Sequence, residues 1–165
     1  MWRTFPAGTV TMSDGGSVAT QASYRNSLTT TEIELTEGKH YWEVELLSKT
    51  LGNIFMGISR PNLNPTGEYW RGACTDSWFI HTHSGTLYGN GKQADDEAGP
   101  YNQGDRVGVL LDLGNGSLRF FKNGVEHGPG YAAGSVTGPV VHAVQMYRKD
   151  SSVRLLPNAE VPAGV

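Results

Sequence analysis

The sequence predicts an all-β fold, a two-sheet antiparallel β-sandwich, from three observations. Residues Gly104 to Gly128, GDRVGVLLDLGNGSLRFFKNGVEHG, place apolar runs Val107 to Leu113 and Leu118 to Phe121 around Asn115-Gly116, and a second Asn-Gly follows at Asn123-Gly124. Asn-Gly suits a two-residue hairpin turn, whose central residues both take positive φ, so this stretch reads as three consecutive antiparallel strands. Elsewhere apolar and polar residues alternate between turn signals spaced roughly ten residues apart, the pattern of a sandwich. No window keeps a helical apolar period for three turns; one short turn around Asp95 to Ala98 is the best place for a helix.

Strands are expected in order wherever the alternation runs unbroken. The first five are Gly8 to Met12, Ser17 to Gln21, Leu28 to Leu35, His40 to Leu47 and Asn53 to Ser59. The rest are Ser77 to Thr82, Thr86 to Gly89, Arg106 to Leu113, Ser117 to Lys122, Val140 to Tyr147 and Val153 to Leu156. In the fourth, the two-residue period puts Trp42, Val44 and Leu46 on the core face and Tyr41, Glu43 and Glu45 on the other. Val107 to Leu111 is apolar on both faces, as a central strand covered on both sides requires. Long loops are expected at Ser23 to Ser27, Arg60 to Asp76 and Gly91 to Gln103, and loops of such length in a compact domain are more often functional than idle.

Composition sets the class. The 165 residues fit one domain with one core, residues 1–165, and the 22 glycines match many short strands joined by tight turns. Four Trp, seven Tyr and five Phe supply surface to bury, which argues against disorder. The net charge of −3, with 13 basic residues scattered along the chain, leaves no footprint for nucleic acid or for an anionic membrane. Cys74 is the sole cysteine, so no internal disulfide forms. The residues Met1 to Pro6 lack the apolar centre of a signal peptide, and no run reaches transmembrane length. A cytoplasmic monomer is the expectation.

Candidate chemistry is sparse. Glu43 and Glu45 are paired carboxylates, but a sandwich glycosidase lines its groove with three acids at alternate positions, and the third position here is Leu47. His81 and His83 would point the same way on a strand, yet a zinc site needs further ligands at defined spacing, and Phe79 on the same face suggests packing. Cys74 with Asp76 and His81 lacks a strained elbow or a helix N-terminus to activate the thiol. Asp95-Asp96-Glu97 lacks the spacing of a calcium loop, and no glycine-rich stretch carries the Lys and Ser/Thr of a phosphate cradle. The sequence therefore predicts no enzyme, no metal and no cofactor. It does place Tyr24, Arg25, Arg60, Tyr69, Trp70, Arg71, Tyr147 and Arg148 in loops, and Tyr, Trp and Arg are the types enriched at protein-binding hot spots. Trp70 has a second reading, in which it folds back to cover the end of the sandwich.

Five ordered segments carry a family resemblance: GKHYWEVEL at Gly38 to Leu46, Met56-Gly57-Ile58-Ser59, Asp76-Ser77-Trp78, Gly104 to Gly128, and Val140 to Val144. Together they span about Thr9 to Leu156 and resemble the SPRY domain, a β-sandwich of concanavalin-like architecture that binds other proteins. The chain is similar to the shorter class, without a separate PRY-type segment, as in SOCS-box adaptors, Ran-binding scaffolds, histone-methyltransferase subunits and ryanodine receptors. The resemblance implies a non-catalytic module whose loops, at one edge of the sandwich, grip a peptide or a partner's surface. In the adaptors the contacts come from the loop corresponding to Gln21 to Asn26, from the long loop in which Arg60 and Tyr69 match, and from the strand end after Val140 to Val144. At that strand end the adaptors carry Trp and this chain carries Gln145, with Met146, Tyr147 and Arg148 placed to rebuild the wall. No SOCS-box, RING, LisH or kinase-like segment accompanies these motifs. A lectin-like glycan binder is the alternative, since sandwich lectins stack sugars on Trp or Tyr.

Overall fold

The computed structural model describes residues 1–3, 9–49, 54–71, 73–93 and 97–165. They form thirteen strands: β1 (Val10–Ser13), β2 (Val18–Gln21), β3 (Ser27–Thr30), β4 (Lys39–Leu46), β5 (Phe55–Ser59), β6 (Ser77–His81), β7 (Leu87–Gly89), β8 (Lys92–Gln93), β9 (Arg106–Asp112), β10 (Ser117–Lys122), β11 (Val125–Glu126), β12 (Val141–Met146) and β13 (Ser152–Leu156). One sheet has the order β1-β2-β13-β4-β9-β10-β11 and the other β3-β12-β5-β6-β7-β8. Every pairing is antiparallel. The predicted two-sheet sandwich is the fold.

Alternation decides which side chains meet between the sheets. Trp42, Val44 and Leu46 of β4 are buried there with Val107, Val109 and Leu111 of β9, opposite Met56 and Ile58 of β5 and Trp78 and Ile80 of β6. β9 is central, flanked by β4 and β10, which accounts for its apolar character. Trp42 stacks flat on His142 of β12, with centroids 3.7 Å apart. Trp2 joins this core at 4% exposure and pairs through one bridge with Thr31, so the start of the chain packs on the sandwich. A second cluster, Leu28, Phe55, Phe79 and Ala143, lies on the outer face of the six-stranded sheet under Leu63, Tyr69 and Trp70.

Several expectations need correction. The turn after β9 has four residues, because Ser117 pairs with Asp112; the Asp112 carboxylate accepts from the Gly114 and Asn115 amides, and only Gly116 takes positive φ, at 77°. Asn123-Gly124 does form the two-residue turn, with φ of 50° and 83°. β3 stops at Thr30, and Leu35 contributes only an isolated bridge to Val140. The loop expected from Gly91 contains the short edge strand β8. Gly8, Asn53, the Asp95-Asp96 part of the acidic stretch and Thr4 to Pro6 lie outside the described residues.

Candidate functional site

The loop of residues 60–76 leaves β5 and returns to β6 at the same end, so its middle is free to fold over the outer face of the six-stranded sheet. Apolar burial draws it down: Trp70 stacks on Phe55 at 5.5 Å and meets the edge of Tyr88 at 6.5 Å. Polar contacts fix its height. Gln145, 1% exposed, accepts from the Tyr69 amide at 2.7 Å and donates to the Gly67 carbonyl at 2.5 Å. The Leu28 amide donates to the Pro65 carbonyl at 2.8 Å, and the Ser77 hydroxyl donates to the Tyr69 carbonyl. Tyr69 donates its hydroxyl to the Asn64 carbonyl at 3.0 Å, and burial raises its phenol above the usual range.

The loop of residues 22–26, between β2 and β3, is organised from below by Gln21, which is fully buried. Its side-chain amide donates to the carbonyls of Ser23, at 3.1 Å, and Arg25, and its carbonyl accepts from the Ser27 hydroxyl. The Arg25 amide donates to the Tyr147 carbonyl at 3.1 Å, which ties this loop to the chain leaving β12. Asn26 donates to Glu68 at 3.0 Å, and Arg71 donates to the other oxygen of that carboxylate at 2.7 Å. Three loops therefore meet at one end of the sheet. Tyr24 at 66% and Tyr147 at 38% exposure project from the junction, with Arg25 and Arg148 exposed beside them. Arg71 lies over the Trp70 ring at 5.2 Å and forms the rim.

Two of the sequence-predicted residues are buried, and one sits elsewhere. Met146 is fully buried because β12 alternates it into the core, so it cannot wall a pocket. Gln145 points outward but lies beneath the loop, where it acts as a clamp. Arg60 sits at the other end of β5, roughly 17 Å along the sheet from the junction by strand rise. Its guanidinium donates to the Pro139 carbonyl at 3.0 Å and the Thr137 hydroxyl at 2.8 Å and lies over Trp78, which uses it inside the fold. Trp70 folds back onto the sheet while keeping part of its surface open. Sequence reasoning missed the wiring by Asn26 and Glu68, since nothing in two residues 42 positions apart announces a contact.

The other constellations are accounted for locally. Glu43 accepts from Tyr41 at 3.0 Å and pairs with Arg106 at 3.2 Å, while Glu45 pairs with Arg154 at 3.4 Å. His81 stacks on Phe55 at 4.6 Å and bonds Ser84 through Nδ1 at 2.9 Å; burial, then the nearby His83, lowers it to about 4. Cys74 Sγ accepts from the Asp76 amide at 3.4 Å. Among the described residues there is no group of three or more His, Cys, Asp or Glu placed to hold a metal ion, and no helix long and apolar enough to cross a membrane.

Replacing Gln145 by leucine, which keeps the volume, leaves the Tyr69 amide and the Gly67 carbonyl without partners. The expected loss is about 2–4 kcal/mol of stability, since an unmet buried group costs roughly 1–3 kcal/mol and these two are only part-buried, toward the lower end of that range. Urea denaturation measures the loss, and faster hydrogen exchange at Tyr69 places it in the loop. Native-like exchange at Tyr69 would mean that the aromatic contacts alone hold the loop.

Comparison with known proteins gives a consistent picture. The family model described as the SPRY domain matches residues 39–159. The SPRY domain-containing SOCS box protein 3 of Xenopus tropicalis is 31% identical over 96 residues, covering 54% of this chain and 26% of that protein, and the Xenopus laevis protein matches equally. The chain thus spans about a quarter of the length of these curated relatives. Among solved structures, the SPRY domain of human HERC1 superposes with a TM-score of 0.78 at 19% identity, over 92% of this chain and 94% of that one. A human SPRY domain gives 0.69 at 20% identity over 98% and 99%, and the TRIM65 PSpry domain gives 0.67 at 20% identity over 90% and 83%. These structures share the fold.

Proposed function

The chain belongs to the SPRY domain family, generally a protein-interaction module without catalysis, and on that premise we propose that it binds an extended segment of a protein partner at the three-loop junction. The observation that carries this reading is the convergence of Tyr24, Arg25, Tyr147 and Arg148, exposed and of hot-spot type, on loops tied together by the Arg25–Tyr147 and Asn26–Glu68 hydrogen bonds. A surface already held by such bonds needs little ordering on binding, so less of the contact energy is lost. The two tyrosines offer flat apolar area, and Arg25 and Arg148 offer donors for a carboxylate or backbone carbonyls of the partner. Arg71 is committed to Glu68 and contributes at the rim. Nothing in the structure or the relatives points to glycan binding.

The test is a pull-down from lysate of the source organism, read by mass spectrometry. The intact protein is compared with a variant carrying Tyr24→Ala, Arg25→Ala, Tyr147→Ala and Arg148→Ala. These side chains are exposed, so the variant is expected to melt like the parent. A partner retained by the parent and lost by the variant is the expected result, and each true anchor contributes about 2 kcal/mol, roughly thirtyfold in Kd. Equal retention moves the site off these loops.

A further inference from the structure

At the far end of β3 from the junction, the two sheets part beside the start of the chain and leave a cleft of about 660 Å3. That volume falls within the roughly 300–1,000 Å3 of small-molecule sites. Among the described residues, five buried side-chain nitrogen or oxygen atoms lack a hydrogen-bond partner, and three of them belong to residues lining this one cleft: Trp2 Nε1, Thr31 Oγ1 and His142 Nδ1. Native interiors leave few such groups unmet, because an unpaired buried donor or acceptor costs free energy. Their concentration at a single concavity is the arrangement of a polar site built for a ligand.

The donor chemistry narrows the ligand. An indole N–H can only donate, a neutral imidazole donates from one nitrogen, and a hydroxyl can donate. An acceptor-only group is the kind of partner that donors of all three types take, and a carboxylate is the common one. Charge at the mouth agrees: Arg3 and Lys39, the latter also 3.8 Å from Asp112, line the cleft against one carboxylate, Glu32. Arg3 forms no ion pair among the described residues. The walls are Ile33, Leu35 and Leu155, with the flat face formed by the stacked Trp42 and His142 rings. Ile33 is 75% exposed at the rim, apolar surface that an apolar body would cover. We propose that this inter-sheet cleft is a binding site for a small aromatic carboxylate, separate from the three-loop junction.

The experiment titrates the full 15N-labelled chain with benzoate near neutral pH, beside benzyl alcohol as the uncharged counterpart of similar size. The expected result is saturable shifts of the Trp2 indole N–H and the Thr31 amide with benzoate, and binding of benzyl alcohol weaker by about tenfold or more. Thr31→Val keeps the side-chain shape and removes the hydroxyl. It is expected to weaken benzoate by about fivefold while holding or raising Tm, because it also removes an unmet polar group. Arg3→Gln, at a half-buried mouth position, is expected to weaken benzoate and to flatten its salt dependence. Absence of saturable shifts at tens of millimolar benzoate overturns the site. Equal binding of benzyl alcohol overturns the carboxylate assignment, and unchanged affinity in both variants overturns the placement.

Discussion

Gly57→Ala is expected to abolish the native fold. β5 lies inside its sheet, with Gly57 opposite Phe79 of β6 on one side and Ala143 of β12 on the other. A methyl group at this position would stand 2.0 Å from the Trp78 carbonyl oxygen and 3.3 Å from the Phe79 Cα. Both obstacles are backbone, so no side-chain rotation relieves the clash and β5 must part from β6. That separation opens both clusters at once, because Met56 and Ile58 face the inter-sheet core while Phe55 carries the Trp70 stack. The loss is expected to exceed about 4 kcal/mol, the range reserved for severe core disruption, against a typical domain stability of about 5–15 kcal/mol. Loss of amide dispersion in the NMR spectrum and of a cooperative urea transition is the readout. Gly15→Ala serves as the contrast: its φ is 67° but nothing lies within 4 Å, so only about 1–2 kcal/mol of backbone strain is expected. A Gly57→Ala protein that melts within a few degrees of the parent would overturn the steric argument.

The second large effect is acid destabilisation through His142. Burial, and then the charge of nearby His40, lowers this imidazole to about 3. An unfolded histidine titrates near 6.5. Below pH 6.5 the unfolded chain takes up a proton that the folded chain refuses, so stability is full above pH 6.5 and falls as the pH drops toward 3. At pH 4.5 the loss from His142 is about 2–3 kcal/mol, two pH units at somewhat over 1 kcal/mol each. His81, lowered to about 4, acts in the same direction. Asp105 and Glu126, whose carboxyls are lowered by their hydrogen bonds and cation partners, withdraw stability only as the pH falls through the carboxylate range, so the interval from pH 6.5 to 4.5 belongs to the histidines. His142→Phe retains a flat ring against Trp42 and removes the proton site. Stabilities from urea denaturation at pH 7.5 and 4.5 are expected to differ by about 2–3 kcal/mol less in this variant than in the parent. An equal difference in both proteins would assign the acid sensitivity to other groups.

The degree to which each feature could be read from the sequence follows the range of the interaction behind it. The β4 face with Trp42, Val44 and Leu46 was legible because a period of two is a local property of an extended chain. So was the turn at Asn123-Gly124, where positive φ at both residues is a local preference. At Asn115-Gly116 the same dipeptide misled, because the Asp112 carboxylate caps a longer turn and a side chain three residues away outcompetes the dipeptide. Of the proposed surface, the residue types Tyr24, Arg25, Tyr147 and Arg148 were legible as aromatic and Arg residues in loops. Their meeting was not, since it depends on hydrogen bonds spanning 42 residues from Asn26 to Glu68 and the length of the chain from Arg25 to Tyr147.

By itself the sequence determined that the chain is a two-sheet antiparallel sandwich, because strand period, turn chemistry and core aromatics are written residue by residue, while five ordered motifs carry its resemblance to the SPRY domain. Only the tertiary structure decided which outward residues remain available. Arg60, Gln145 and Met146 stand in the chain as plausible contacts, yet a backbone carbonyl, a loop amide and the core claim them. The physical reason is that a side chain's partner is set by what the fold brings within about 3 Å of it, and hydrogen bonds and packing at that range are blind to separation along the chain.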